Sequence, residues 1–401
     1  MVGGVVILVG VAWYDRVRTT VAVLASVSIG AGAAVCAAPA ATAGPPGGPG
    51  QLVSVTELAP EATLPGSAAA HRVVHWSTGV GDHPALSSAA VYFPAGDPPA
   101  GGWPIVAWAH GTVGVADRCA YSVAGPSLRD RDWSYLGAWQ RAGYAIVASD
   151  YVGLGTPGPH PKDSGAIAAA SVVDAVTASG RAFPGVLSNR WVVVGQSQGG
   201  AAALWTARAA TRRGAELDYR GAVATGVPGL LENALLALGP HLPPVPLPAE
   251  TTAVALFSLS GLRSSFPHLD IDSYLTDAGR HWLDRAEQLC ESELAAEVAS
   301  PPVVLGDLLA KPLAALPNAP ALLSGHMGIP VSGYDRPVFI GQGLFDTLSP
   351  APGTLAVAAV MRADGQPVTL RTYPSDHSAT LGASLPDSLA FVRELLPPGR
   401  G

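Results

Sequence analysis

A serine between glycines, placed directly after a short apolar run, is the feature that most constrains this chain. Ser197 lies in the segment GQSQG at residues 195–199, which fits the pattern G-x-S-x-G. The apolar run 191–194 precedes it and an alanine-rich stretch follows it. This order predicts a strand, a sharp turn and a helix, with the serine hydroxyl exposed at the edge of a sheet. The competing interpretation is a glycine-rich turn with an inert serine.

The composition indicates a folded protein that does not bind nucleic acid. Of the 401 residues, 48% are hydrophobic and only 13% are charged, which supplies a large core and excludes a disordered chain. The net charge is −7 and no run of lysine or arginine occurs, so nothing favours nucleic acid or an anionic membrane surface. Neither a Cys-x-x-Cys nor a His-Glu-x-x-His pattern is present, and we expect no metal and no cofactor.

The N-terminus has the pattern of an export signal. Arg16 and Arg18 precede the uncharged apolar stretch 21–35, and Ala-Thr-Ala at residues 41–43 supplies the small residues that a signal peptidase accepts. We therefore predict a signal peptide over residues 1–43, and a mature protein that is secreted or held in the cell envelope. A retained anchor is the alternative, because residues 1–12 are also apolar.

Cysteine usage agrees with export. If Cys36 is removed with the signal peptide, Cys119 and Cys290 remain. Two cysteines in an oxidising compartment favour a disulfide, and two buried thiols are the alternative.

The rest of the chain alternates short apolar runs with helical stretches. Residues 44–69 are interpreted as a Pro/Gly-rich linker and N-terminal segment, residues 70–227 and 336–397 as a core, and residues 228–335 as a helical cap, or lid, inserted between two strands. Strands are predicted at 72–77, 89–93, 104–109, 144–148, 191–194, 219–227, 337–341 and 368–373, and helices at 135–142, 166–178, 280–298, 355–362 and 384–396. This alternation predicts the α/β class, with a mostly parallel central sheet flanked by helices. The apolar residues of the cap either line a substrate tunnel or fill the cap's own core.

A reactive serine needs a histidine as base and an acid that orients it. On folds with this turn the acid and then the histidine follow the serine in the chain. Asp346 and His377 meet this order, and each follows a predicted strand, at the sheet edge where ligands bind. Asp335 and Asp376 compete for the role of the acid, but the first precedes its strand and the second adjoins the histidine.

The oxyanion formed during acyl transfer needs fixed N–H donors. One donor is expected from the backbone of Gln198, the residue after the serine, and the second from the loop after strand 104–109, with Thr112 as the candidate. His110 in that loop is interpreted as a turn-stabilising residue rather than a second base. The segment 153–158 matches G-x-G-x-x-G, but the prolines that follow cannot open the helix that a dinucleotide site requires, and we reject such a site.

Several of these segments together resemble the secretory lipase family of the α/β-hydrolase superfamily, which includes fungal lipase-A-like enzymes and exported actinobacterial lipases. The resemblance covers roughly residues 70–396. It is carried by HGT at 110–112, ADRCA at 116–120, SDYVGLGTP at 149–157, GQSQGG at 195–200, Asp346, and the pair Asp376-His377.

The resemblance implies an α/β-hydrolase fold with a helical cap that shapes the acyl site. It implies a Ser197–Asp346–His377 triad, an oxyanion hole framed by Thr112 and Gln198, and a Cys119–Cys290 disulfide. Two departures concern the site. Gln196 stands where family members often carry histidine or tyrosine, which affects packing behind the serine. Residues 162–163 (Lys-Asp) replace an aromatic, which affects contacts at the substrate rim.

We interpret the chain as an exported serine esterase or lipase that hydrolyses carboxylic esters of the acylglycerol or a related lipid type, with transient contact between the cap and a lipid interface. A peptidase or polyester hydrolase on the same scaffold is the first alternative. A catalytically silent exported binding protein is the second. Acyl length, alcohol preference and oligomeric state do not follow from the sequence.

Overall fold

The computed structural model describes residues 47–398. The predicted signal peptide, with Cys36, lies outside the described residues. Across the described part, every helix is either too short or too polar to serve as a membrane span.

Within residues 47–398, a nine-stranded sheet forms the centre of the fold, in the order β1-β2-β3-β5-β4-β6-β7-β8-β9. The first pairings, from β1 to β5, are antiparallel, and those from β5 through β4 to β9 are parallel. The strands are β1 Leu52–Glu57, β2 Ala69–Thr78, β3 Pro84–Phe93, β4 Trp103–Ala109, β5 Ala145–Ser149, β6 Leu187–Gln196, β7 Asp218–Thr225, β8 Val338–Gly343 and β9 Val368–Tyr373. The predicted mostly parallel sheet of the α/β class is confirmed.

Helices cover the sheet and fill the connection between β7 and β8. They are α1 Tyr121–Ala124, α2 Arg129–Arg141, α3 Gly165–Ala182, α4 Gln198–Arg213, α5 Leu231–Leu236, α6 Ala249–Ser265, α7 Asp277–Ala286, α8 Glu291–Val298, α9 Ala319–Met327, α10 Ala351–Ala363 and α11 Ala379–Leu395. The single helical stretch predicted over 280–298 is two helices, because the chain leaves α7 and restarts at Cys290, which caps α8.

The central strands are buried on both faces, and their sequences are accordingly apolar throughout rather than alternating. In β6, Val193 packs into the core on one face of the sheet, and Val192 and Val194 pack into the core on the other. Both faces therefore need helices, and the carboxyl ends of the parallel strands are left as the edge where loops can carry function.

The strand β1 lies in the segment 44–69, which was predicted as a linker and N-terminal segment. It pairs antiparallel with β2, and nearly all of its residues are exposed. An edge strand with little buried surface gives only a weak hydrophobic pattern, which is why the sequence did not indicate it.

The connection between β7 and β8 contains helices α5 to α9 and has a hydrophobic core of its own. Of the apolar residues considered for a substrate tunnel, Leu235, Phe257, Leu259 and Leu262 are buried in that core. For these residues the structure favours the interpretation that they stabilise the insertion. Its action as a lid stays a prediction.

Candidate active site

Ser197 stands at the junction between β6 and α4 with a backbone conformation that side chains rarely adopt. Its φ is 60° and its ψ is −123°, a conformation that costs on the order of 1–3 kcal/mol and persists only where the surroundings enforce it. Two backbone hydrogen bonds do so. Ser197 N donates to Thr225 O of β7 at 2.9 Å, and Ala201 N donates to Ser197 O at 3.1 Å. The turn thus presents the serine side chain above the sheet edge.

The glycines around the serine are required by close packing of backbone on backbone. A Cβ on Gly199 would lie 1.8 Å from Ala109 O of β4, and a Cβ on Gly195 would lie 2.0 Å from Gly199 O. Both separations are far below any real contact, so strand β6 and helix α4 can meet this closely only through glycine.

Asp346 and His377 meet at the same edge of the sheet. Asp346 lies in the loop after β8 and His377 in the loop after β9, and His377 Nδ1 is 2.7 Å from Asp346 Oδ2. Backbone N–H groups of Leu348 and Ser349 donate to Asp346 Oδ1 at 3.0 and 2.7 Å. The carboxylate is therefore fixed from two sides, and the bond to Nδ1–H leaves Nε2 of the imidazole as the basic nitrogen.

The competing acids have other partners. Thr211 Oγ1 donates to Asp335 at 2.6 Å, and Ala379 N donates to Asp376 Oδ1 at 2.8 Å at the start of α11. Asp346 is thus the acid that the fold brings to the imidazole.

Ser197 and His377 line one cavity of about 410 Å³, together with Gly111 and Thr112 of the loop after β4. Within residues 47–398, no hydrogen bond joins Ser197 Oγ to His377 Nε2. Such bonds often tighten only when substrate binds.

Thr112 and Gln198, the two residues expected at an oxyanion hole, are in contact. Thr112 Oγ1 donates to Gln198 Oε1 at 3.3 Å. Gln198 is the first residue of α4, and the N–H groups of a helix's first turn have no partner within the helix. Its backbone N–H is therefore free to bind an anion beside the serine.

Two glutamines that the sequence analysis did not assign to the site hold its loops. Gln196 Nε2 donates to His377 O at 3.3 Å. This bond connects the loop that carries His377 to the turn at residues 195–199, called the elbow below. Gln342 Nε2 lies 3.3 Å from Asp346 Oδ2 and 3.1 Å from Ser349 O, while Thr354 donates to Gln342 Oε1 at 2.7 Å. Gln196 was noted in the sequence as a departure from the family pattern, without this contact, whereas Gln342 gives no signal beyond its place near the end of β8.

His110 is built into the wall of the site. Its ring stacks on Tyr121 with centroids 4.9 Å apart, Nδ1 lies 2.7 Å from Gly111 O, and Tyr151 donates to its carbonyl oxygen at 2.9 Å. Burial lowers the pKa of its imidazole. These contacts agree with a turn-stabilising role.

The segment matching G-x-G-x-x-G does not lead into a helix. Gly153 and Gly155 both have φ of 71°, a Cβ on Gly153 would lie 2.3 Å from Pro159 O, and α3 begins only at Gly165. The residues form a tight loop that packs on itself.

Lys162 and Asp163, expected at the substrate rim, are instead buried. The ammonium lies 2.8 Å from Asp163 Oδ1 with 1% of the Lys162 side chain exposed, and Ser258 of α6 donates to Asp163 Oδ2 at 2.6 Å. Burial alone would raise the pKa of Asp163, but the Lys162 ammonium outweighs it and lowers that pKa. The pair therefore joins the core to the insertion.

A disulfide joins Cys119 to Cys290, as the resemblance implied. It connects the loop after β4 to the start of α8, and Glu291 N donates to Val113 O at 2.9 Å beside it. Arg118 also binds Gln288 O at 3.0 Å, so the insertion is attached near the expected oxyanion loop by covalent and polar contacts.

The cavity also holds charged groups that the sequence analysis missed. Glu250 of α6, Glu291 of α8 and Arg131 of α2 line it with the serine and the histidine. Burial raises the pKa of Glu291 to about 7. The two glutamates reach the cavity only because the insertion folds over the sheet, and no local sequence pattern indicates this folding.

Comparisons with known proteins agree with this geometry. Candida antarctica lipase A superposes with a TM-score of 0.72 at 18% identity, covering 88% of this chain and 84% of that chain. The rice cell wall degrading esterase LipA from Xanthomonas oryzae gives a TM-score of 0.67 at 16% identity, covering 88% and 100%. A putative hydrolase from Legionella pneumophila gives 0.68 at 14% identity, covering 86% and 98%. These likenesses show the α/β-hydrolase fold.

Among curated proteins, no sequence match was found. The model of the secretory lipase family matches residues 130–396, which span β5 to β9, the insertion and the loops that carry Ser197, Asp346 and His377. On this match the chain belongs to the secretory lipase family, and ester hydrolysis is the chemistry that its membership supports.

Proposed function

We propose that this chain is an exported serine hydrolase that cleaves carboxylic esters of the acylglycerol or a related lipid type through an acyl-enzyme. The observation that carries the proposal is the 2.7 Å contact between the buried Asp346 Oδ2 and Nδ1 of His377, which lines one cavity with Ser197 on its strained turn. A buried acid, an oriented imidazole and a serine at one sheet edge are the parts that nucleophilic acyl transfer requires.

In the first half of the proposed reaction, Ser197 Oγ attacks the ester carbonyl while His377 Nε2 takes its proton. Asp346 accepts the hydrogen bond from Nδ1 and stabilises the imidazolium. The C–O bond to the alcohol then breaks, and His377 returns the proton to the leaving alkoxide.

In the second half, His377 takes a proton from water, and the hydroxide adds to the acyl carbonyl. The bond to Ser197 Oγ breaks, the serine recovers its proton, and the acid leaves. In both halves the negative oxygen of the tetrahedral intermediate accepts a hydrogen bond from the free N–H of Gln198 and a second from Thr112, and each such donor typically contributes about 3–4 kcal/mol.

Two further observations support a lipid-like ester and an exported enzyme. Leu344 and Phe345, which precede Asp346 in its loop, are 49% and 66% exposed, and such side chains favour contact with an apolar substrate phase. The disulfide agrees with an oxidising compartment. Export itself rests on the family and on the predicted signal peptide at residues 1–43.

The test compares the wild type with Ser197→Ala on p-nitrophenyl esters of increasing chain length and on the matching anilides. We expect ester hydrolysis to fall by at least about a thousandfold in the variant, because the nucleophile is lost while the fold remains. Fluorophosphonate labelling should mark the wild type and spare the variant.

Ser292→Ala is the matched control, because Ser292 lines the same cavity and has no part in the proposed triad. It should retain both ester hydrolysis and labelling. A preference for the anilides would favour a peptidase, and an unlabelled wild type without ester hydrolysis would overturn the proposal.

A further inference from the structure

We propose that Glu291 is a specificity-determining residue of the catalytic cavity, whose carboxylate selects against ester substrates that carry a negative charge and in favour of neutral and cationic ones. The inference deepens the proposed function and rests on ester hydrolysis at Ser197. It concerns a residue of the insertion rather than of the sheet.

The position of Glu291 is set by the core, although the residue belongs to the insertion. Its backbone N–H donates to Val113 O at 2.9 Å, and the preceding Cys290 is bonded to Cys119 and forms an isolated bridge with Gly114. The residue before Val113 is Thr112, one of the expected oxyanion donors. Movement of Glu291 relative to the reacting carbonyl is therefore restricted.

Glu291 lines the catalytic cavity, and its carboxyl has no counter-ion among residues 47–398. Ser197 and His377 line the same cavity. The hydrogen-bond partner of the Glu291 carboxyl is the neutral hydroxyl of Ser127 at 3.2 Å. An unpaired carboxylate in a partly desolvated cavity repels an entering anion and attracts an entering cation.

The charged groups around Glu291 do not cancel the negative charge of its carboxylate. Arg131 of α2 approaches the cavity but is paired with Asp132 at 2.6 Å, and Lys162 acts on Glu291 from the buried pair that it forms with Asp163. The other charged or titratable groups that line the cavity are Glu250 of α6 and, from the loop before α11, Asp376 and His377. When Glu291 is ionised, the cavity is negative.

The charge of Glu291 changes near neutral pH. Burial raises the pKa of its carboxyl to about 7, and the nearby Glu250 acts in the same direction. Below this pH the carboxyl is neutral and can donate a hydrogen bond, and above it the carboxylate repels anions. Selection by charge should therefore grow as the pH rises through 7, and the same repulsion should promote release of the carboxylate product.

The experiment measures kcat/KM for three aryl butyrates that differ in one meta substituent: a carboxylate, a neutral carboxamide, and a trimethylammonium group. Wild type, Glu291→Gln and the control Glu297→Gln are compared from about pH 5.5 to about pH 8.5. Glu297 lies on the same helix but is paired with Arg285, outside the cavity. Each ratio of variant to wild type is taken on one ester at one pH, so the intrinsic reactivity of the ester cancels.

At about pH 8.5 Glu291→Gln should raise kcat/KM for the anionic ester about tenfold, lower it for the cationic ester, and leave the neutral ester within about twofold, as one nearby charge predicts. At about pH 5.5 these differences should disappear, and Glu297→Gln should behave as the wild type throughout. If Glu291→Gln changes all three esters alike, or leaves the anionic-to-cationic ratio unchanged at high pH, the proposal is overturned.

Two measurements keep the test decisive. Fluorophosphonate titration counts the active sites, so a partly unfolded variant is corrected for. In the wild type alone, the anionic-to-neutral ratio should fall as the pH passes 7, and a flat ratio contradicts the proposal without any variant. Hydrolysis that persists in Ser197→Ala would instead defeat the proposed function.

Discussion

The contacts that hold the catalytic positions of the core in place differ from those that connect the segments of the insertion between β7 and β8. In the core, the catalytic positions depend on backbone packed against backbone, as where Gly199 meets Ala109 O and where Ser197 N donates to Thr225 O. These contacts leave no room for a side chain.

In the insertion, charged side chains make many of the connections. Arg263 of α6 binds Asp272, which precedes α7, at 2.6 Å, and Asp284 and Glu287, in and at the end of α7, at 2.9 and 3.1 Å. Charge pairs of this exposed kind contribute little individually. The difference teaches that the turn at Ser197 tolerates almost no substitution, whereas the charge pairs that connect segments of the insertion can change one at a time.

The largest effect is expected from Gly199→Ala. Its Cβ would lie 1.8 Å from Ala109 O, and neither the strand nor the helix can move without breaking the sheet. We expect a loss of more than about 5 kcal/mol in the free energy of unfolding, or no folded protein, as measured by urea denaturation.

Gly325→Ala in α9 of the insertion is the substitution to compare with Gly199→Ala. A Cβ there would meet nothing within 4 Å, and alanine favours the helix. It should stabilise the protein by about 0.5–1 kcal/mol. Equal destabilisation by the two substitutions would contradict the contrast between a glycine packed on backbone and a glycine with open space around it.

The second prediction removes the covalent link between the regions. The double variant Cys119→Ala/Cys290→Ala should lose about 4 kcal/mol in the free energy of unfolding, because the disulfide closes a long loop with a sequence separation of 171. Reductant should destabilise the wild type by a similar amount and leave the double variant unchanged. A reductant effect of the same size on both would show that the loss has another cause.

The third prediction concerns the pH dependence of stability. The pKa of Glu291 rises from the usual 4.5 to about 7 in the folded chain, so between these values the unfolded chain has released a proton that the folded chain keeps. Stability is therefore lost as the pH rises through this range. In Glu291→Gln the loss is absent, and its unfolding free energy should gain up to about 3 kcal/mol over the wild type between about pH 4 and about pH 8.

The smallest effect is expected at Gln196, where a side chain does set geometry within the core. Gln196→Ala removes the 3.3 Å bond to His377 O, so the histidine loop loses its attachment to the elbow. We expect kcat to fall about tenfold with little change in KM, because ground-state binding does not use this bond. Gln140→Ala, which removes a comparable bond to Ser67 far from the site, should lower stability without this change in kcat.

Much of the site could be predicted because each residue follows a strand in the required order. Ser197, Asp346 and His377 lie at the carboxyl ends of β6, β8 and β9, and parallel strands bring such ends together whatever the chain does between them. All eight strands proposed from apolar runs are present in the structure, with boundaries shifted by a few residues.

What could not be predicted depends on contacts between distant segments. Glu291 reaches the cavity only because α8 folds back over the loop after β4, and Lys162 is buried only because α6 covers it. Neither residue differs locally from an exposed charge in a polar loop. The strand β1 was missed for the opposite reason, since its side chains bury too little surface to produce a pattern.

The disulfide also divides the insertion into two loops, each anchored at both ends. The first, up to Cys290, supplies Glu250 and Val254 to the cavity, and the second supplies Glu291 and Ala295. An insertion or deletion in one loop therefore leaves the anchored ends of the other loop in place. A protein built in this way can acquire new substrate preferences in two separate steps, without disturbing the elbow beneath them.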